Sequence, residues 1–158
     1  MPAGDSINEP GWDGVTDASD GNPWVPLGPA CWEMGCNSQP LGKANDDFAK
    51  RVFETHVNEM EATAFVFVTP RRWRKREAWR QSASDAAPWR KVQVFDADDL
   101  EAWLERAPAV TLWFAELLGL SGSGIESVDS FWQRWRGQSR HPLTPEALLA
   151  DRGSAAQR

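Results

Sequence analysis

The sequence predicts a layered α/β domain, and three observations carry that prediction. Short apolar, β-branched or aromatic runs alternate with segments of helical periodicity. The strongest run, Ala64-Phe65-Val66-Phe67-Val68-Thr69, is apolar almost throughout, as in a strand covered on both faces. A length of 158 residues suits one core with tails rather than two full cores.

The opening stretch to Asp20 is rich in Gly, Pro, Asp and Asn, so only short extended pieces such as Gly14 to Ala18 are expected there. Trp24 to Leu27 and Ala30 to Met34 read as strand fragments, the second placing Glu33 at the end of an apolar run before Gly35. From Lys43 to Glu59, Ala44, Phe48, Val52 and Phe53 recur at helical spacing among charged residues and predict one amphipathic helix. Pro70 ends the strand over 64–69, and Arg71 to Ser82 predicts a basic loop running into a helix. Val92 to Phe95 predicts a further strand. Asp98 followed by Glu101 then resembles a capping box for a helix through about Arg106. Beyond Pro108 a helix is expected over Val110 to Leu118.

Ser121-Gly122-Ser123-Gly124 has linker composition, which sets the expected organisation: a core domain over 1–120, a linker and short helical extension over 121–152, and a disordered tail over 153–158. Phe131, Trp132 and Trp135 suggest one helix of the extension. Thr144-Pro145-Glu146 suggests the start of another, with Thr at the N-cap and Pro in the first turn.

Composition narrows the function classes. Hydrophobic residues are 41% and charged residues 25% of the chain, ordinary globular usage, and no apolar run is long enough to span a bilayer. With only Cys31 and Cys36, no signal-peptide pattern, and His56 and His141 at no zinc spacing, a cytoplasmic protein without a thiolate metal site is expected. The formal charge of -6 opposes non-specific attraction to a polyanion, so any nucleic-acid site must be local. Arg71-Arg72-Trp73-Arg74-Lys75-Arg76 is the one basic cluster. Its cations could chelate phosphate oxygens, with Trp73 or Trp79 stacking on bases, or could simply balance neighbouring acids. Ten Trp with no Tyr read first as packing residues and only second as stacking platforms.

Four stretches in order, Pro10-Gly11-Trp12-Asp13-Gly14, Trp32-Glu33-Met34-Gly35, Phe65 to Trp73, and Phe95 to Leu104, resemble the Mrr-like branch of the PD-(D/E)XK nuclease superfamily. The likeness is to a restriction-endonuclease-like domain found at the N-terminus of large bacterial proteins, and it covers roughly Ala3 to Leu120. It implies a three-layer α/β/α sandwich around a mixed sheet, divalent-metal-dependent hydrolysis of DNA phosphodiester bonds, and a role in bacterial defence. Carried over by position, Asp13 matches the first acid and Glu33 the second, a pair that would hold Mg2+ or Mn2+. Two departures stand out. Gly35 occupies the place of the superfamily's lysine, which leaves Lys43 or Lys50 on the following helix as the substitute cation, since migration of that lysine is known in the superfamily. The family's usual first helix and strand have no counterpart before Pro2-Ala3-Gly4-Asp5, as in a shortened copy.

Each residue also has a structural reading. Asp13 in a Gly-flanked turn can serve only its own backbone, and Asp46 and Asp47 read first as a solvated helix face, although they lie close enough in sequence to join an acidic site. The rival to a nuclease is therefore a catalytically degenerate fold that binds DNA or a protein. Self-association or a larger partner chain remains open.

Overall fold

The computed structural model describes residues 11–120 and 126–138. The chain is a mixed α/β protein; among the described residues it has four strands in one sheet and six helices. In order these are β1 (Gly14–Ala18), β2 (Gly28–Met34), α1 (Pro40–Glu54), α2 (Val57–Ala62), β3 (Ala64–Val68), α3 (Arg76–Ala86), β4 (Lys91–Phe95), α4 (Ala97–Glu105), α5 (Pro108–Leu117) and α6 (Val128–Gln138).

Sheet order follows the chain, β1-β2-β3-β4. β1 runs antiparallel to β2, with Gly14 opposite Trp32, while β2, β3 and β4 are parallel. Parallel pairing needs crossovers, which α1–α2 and α3 supply. Met34, Val68 and Phe95 are in register, so the three parallel strands end together. The ladder continues one residue further through Gly35 N–H to Val68 O and Thr69 N–H to Phe95 O, both 2.9 Å.

Alternation along the strands divides the core between two faces. Phe65, Phe67, Val92 and Val94 pack with Ala44, Met60, Trp73, Trp79, Ala83 and Trp89 on one side. Ala30, Trp32, Ala64, Val66 and Phe95 form the other, with Trp24, Val25 and Val68 against them. β3 is buried through both faces, as its unbroken apolar run requires. The tryptophans follow their packing reading: Trp73 and Trp79 lie 5.6 Å apart in the core beside Phe67, so neither presents a ring to a base.

Several expectations are corrected. Trp24 to Leu27 is not a strand, because the Asn22 side chain accepts from Trp24 N–H (2.9 Å) and Val25 N–H (2.8 Å) and closes a turn. The single helix expected over Lys43 to Glu59 is two. Thr55 is extended at the end of α1 and His56 is extended before α2. Phe53, placed on the apolar face by spacing, is 90% exposed. The helix after β4 starts two residues earlier than expected. Asp96, not Asp98, is its N-cap, and Asp99 completes the capping box.

The chain divides into two compact units, 1–106 and 107–158. The boundary lies before α5. Pro108 disfavours a helical conformation at Ala107 and so separates α4 from α5. In the second unit, Ser130 Oγ donates to Glu116 Oε1 at 2.8 Å, joining α6 to α5, and Trp113, Leu117 and Leu118 are exposed. The expected linker 121–124, the Thr144 helix start and the tail 153–158 lie outside the described residues.

Candidate active site

The candidate acids come together where β2 ends. Asp13 immediately precedes β1, and its Oδ2 accepts from Met34 N–H at 2.6 Å, one residue from Glu33. Glu33 lies in β2 opposite Phe67 of β3, which turns its side chain toward α1, and it is 4% exposed. α1 presents Lys43, Asp47 and Arg51 at four-residue spacing, one stripe down a single helix face.

Of that stripe, Arg51 bonds Glu33 directly, while Lys43 and Asp47 pair with each other. Lys43 Nζ pairs with Asp47 Oδ1 at 2.6 Å. Arg51 Nε pairs with Glu33 Oε1, its second nitrogen reaches Glu54 Oε2 at 2.8 Å, and its third donates to the carbonyl of Gly11. The guanidinium also lies 4.4 Å from the Trp12 ring centroid. Asp46 and Lys50 are exposed on the other side of the helix. The solvated-face reading therefore holds for Asp46 and fails for Asp47, which is buried.

The electrostatics fit a small, partly dry acidic cluster. Burial pushes the Glu33 carboxyl up to about 7; Arg51 pulls it back, while Asp13 and Asp47 add to the rise. For Lys43, burial would lower the pKa, but the bond to Asp47 and the charges of Asp47, Glu33 and Asp13 more than offset it. Lys43 is thus held as a cation among three carboxylates. Burial likewise raises the Cys31 thiol, with Glu59 and Glu33 assisting against Arg51, so it offers no thiolate.

Gly35 explains how Lys43 arrives. A Cβ at this position would stand 2.8 Å from Lys43 Cγ and 2.9 Å from Phe67 Cζ. The lysine stem from α1 occupies the space a side chain at 35 would need. Gly35→Ala is accordingly expected to cost about 1–3 kcal/mol through overpacking and to displace Lys43, and urea denaturation would register the loss.

The donor set suits a hard divalent cation in kind, since it consists of carboxylate oxygens, and Asp47 Oδ2 is buried without a hydrogen-bond partner. Among the described residues no group of three or more His, Cys, Asp or Glu side chains is arranged to hold a metal. Glu33 is closed by Arg51, and Asp13 Oδ2 by Met34 N–H.

The basic segment follows β3 at the same end of the sheet. Arg71 Nε donates to Cys36 O at 3.4 Å, just beyond Gly35. Arg72 pairs with Asp98 (2.8 Å), and Arg76 pairs with Asp96 (3.0 Å) and Asp99 (3.1 Å), so two of the five basic residues are neutralised within the fold. Arg71, Arg74 and Lys75 are exposed. No family model, curated protein or solved structure matches the chain.

Glu33 also predicts a pH dependence. Its folded pKa lies above the unfolded value of 4.5, so between 4.5 and about 7 the native state binds the extra proton and stability falls as pH rises. Glu33→Gln cannot titrate there. Wild type should lose stability relative to this variant between about pH 4.5 and about pH 7, as read by chemical denaturation; parallel curves would contradict the assignment.

Proposed function

We propose that this chain is a PD-(D/E)XK-type nuclease domain that hydrolyses DNA phosphodiester bonds with a divalent cation held by Asp13 and Glu33. The observation that carries the reading is the position of Lys43. The cation missing at Gly35 is supplied from α1 into the carboxylate cluster, while Lys50 remains exposed.

The roles follow from the geometry. Asp13, tied by Met34 N–H, and Glu33, tied by Arg51, present two carboxylates at the carboxyl end of the parallel strands, where ligands of open α/β sheets characteristically bind. Bound Mg2+ or Mn2+ would neutralise phosphoryl oxygens and make a water nucleophile more acidic. Lys43 would stabilise the negative charge that grows on phosphorus-bound oxygens as water adds and the P–O bond to the leaving alcohol breaks. Arg71, Arg74 and Lys75 would contact the flanking phosphates, a local attraction in a chain of net charge -6. Bacterial defence is the setting that the family likeness suggests.

A binding module without catalysis is favoured by one observation: Arg51 already neutralises Glu33. Supercoiled plasmid incubated with Mg2+ or Mn2+ separates the two. The nuclease reading expects nicking that EDTA stops and Asp13→Asn abolishes, with Asp46→Asn as an active control. Retained DNA binding with no nicking in any metal would leave the module.

A further inference from the structure

We propose that the α5–α6 unit is a self-association surface, through which two copies of this chain pair by the apolar stripes of these helices. The inference does not depend on the nuclease reading. Val110, Trp113, Phe114 and Leu117 recur at intervals of three and four and so share one face of α5; all are exposed, Leu117 at 66%. On α6, Val128, Phe131 and Trp135 form a second stripe, exposed as well, Val128 at 84%. Neither helix holds a buried residue. Yet both belong to one compact unit, 107–158, in which Ser130 fastens α6 to Glu116 of α5 at 2.8 Å.

A pair of helices makes one layer, and a layer keeps its apolar side from water only by lying on another. A unit of about fifty residues also buries too little of its own surface to be more than marginally stable alone. The chain outside the described residues offers too little to cover both stripes. Residues 1–10, 121–125 and 139–158 hold Met1, Ile7, Ile125, Leu143, Leu148 and Leu149 as their large apolar side chains, and no aromatic one. Charge then favours a second copy as the occupant. α5 carries one ionised residue, Glu116, already bonded to Ser130, and α6 sets Asp129 against Arg134 and Arg136. The stripes can therefore meet their copies without the repulsion that a net charge of -6 imposes on the chain as a whole. Two helices against two close one apolar centre, as in a four-helix bundle, with the same surface used on both sides of a two-fold axis.

The test is sedimentation velocity of the full chain across the micromolar range, for wild type, Leu117→Glu, Val128→Glu and Phe53→Glu, each first shown to be folded by circular dichroism. Wild type should pass from monomer to dimer as concentration rises. Leu117→Glu puts a charge into the α5 stripe twice per dimer and should weaken pairing about a hundredfold or more. Phe53→Glu removes a ring that is 90% exposed on α1, outside the stripes, and should pair as wild type does. Should Leu117→Glu fail to fold, Val128→Glu decides the matter, since a carboxylate in the first turn of α6 suits the helix; it should weaken pairing about tenfold or more. A wild type that stays monomeric throughout would overturn the proposal and leave the stripes to a different protein. Assemblies that grow beyond a dimer, a folded Leu117→Glu that pairs as wild type does, or equal weakening by Phe53→Glu would overturn it too. Plasmid nicking reads the nuclease separately, because no residue of α5 or α6 is assigned a part in it.

Discussion

Lys43→Met should reduce metal-dependent plasmid nicking by about a hundredfold to a thousandfold, the usual loss when a preorganised group facing developing charge is removed. The substitution keeps the apolar stem that lies against Gly35 and removes only the ammonium that pairs with Asp47 at 2.6 Å. Asp47, buried with its Oδ2 already unpartnered, loses the Lys43 ammonium, so stability should fall as well, and nicking is compared at a temperature where both proteins are folded. Lys50→Met, on the exposed side of the same helix, should cut as wild type does. Equal loss in both variants would point to general electrostatic attraction of DNA instead of a placed cation. No loss in either would remove Lys43 from the chemistry.

Asp96→Ala should have the largest effect on stability. Asp96 is 1% exposed, and its oxygens accept from Trp73 N–H (2.9 Å), Arg76 (3.0 Å), Asp98 N–H (3.1 Å) and Asp99 N–H (3.4 Å). Burial alone would raise its pKa. The Trp73 N–H, the Arg76 charge and the N–H groups of Asp99 and Asp98 outweigh that and hold it below 3.8. Truncation removes the N-cap of α4, orphans the buried Trp73 N–H and leaves Arg76 without its buried partner. A loss of about 3–5 kcal/mol follows, visible as a fall in Tm of on the order of 10 °C or more. The contribution of this carboxylate is present above its unfolded pKa and disappears as pH falls through the lower folded value, so the variant and wild type should converge in acid. A fall in Tm below about 3 °C would show that the basic loop and α4 do not depend on this residue.

Much of the fold was legible because the strands obey simple rules. The unbroken apolar run of β3 marked a central strand, and Glu33 at the end of β2 stood out as a carboxylate after an apolar stretch. The errors have local causes. Asn22 closes a turn through its own side chain, so the apolar Trp24 and Val25 pack on the sheet without joining it. Asp96, Asp98 and Asp99 are chemically alike as caps, and only the exit geometry of β4 selects the first.

The candidate site was legible in part. Asp13, Glu33 and Lys43 were singled out from motif order and from the missing side chain at Gly35; in the fold Asp13 is tied to Met34 N–H, Glu33 to Arg51 and Lys43 to Asp47. Arg51 was overlooked, and Asp47 was read first as solvated, because charged residues on an amphipathic helix are normally solvated. A clue was available: Lys43, Asp47 and Arg51 share a stripe with one another, next to the apolar Ala44 and Phe48 that pack on the sheet. Charges bordering a buried face need partners, and the carboxylate at Glu33 was one. The five-residue basic cluster was overcounted, since the acids that neutralise Arg72 and Arg76 lie twenty or more residues downstream and meet them only in the fold.

The most direct test of the nuclease is nicking of supercoiled plasmid by the folded protein in Mn2+ or Mg2+, side by side with Glu33→Ala. Metal-dependent nicking by the wild type that disappears in the variant is the result expected. Nicking that survives in Glu33→Ala, or a well-folded wild type that cuts nothing in either metal, would contradict the account.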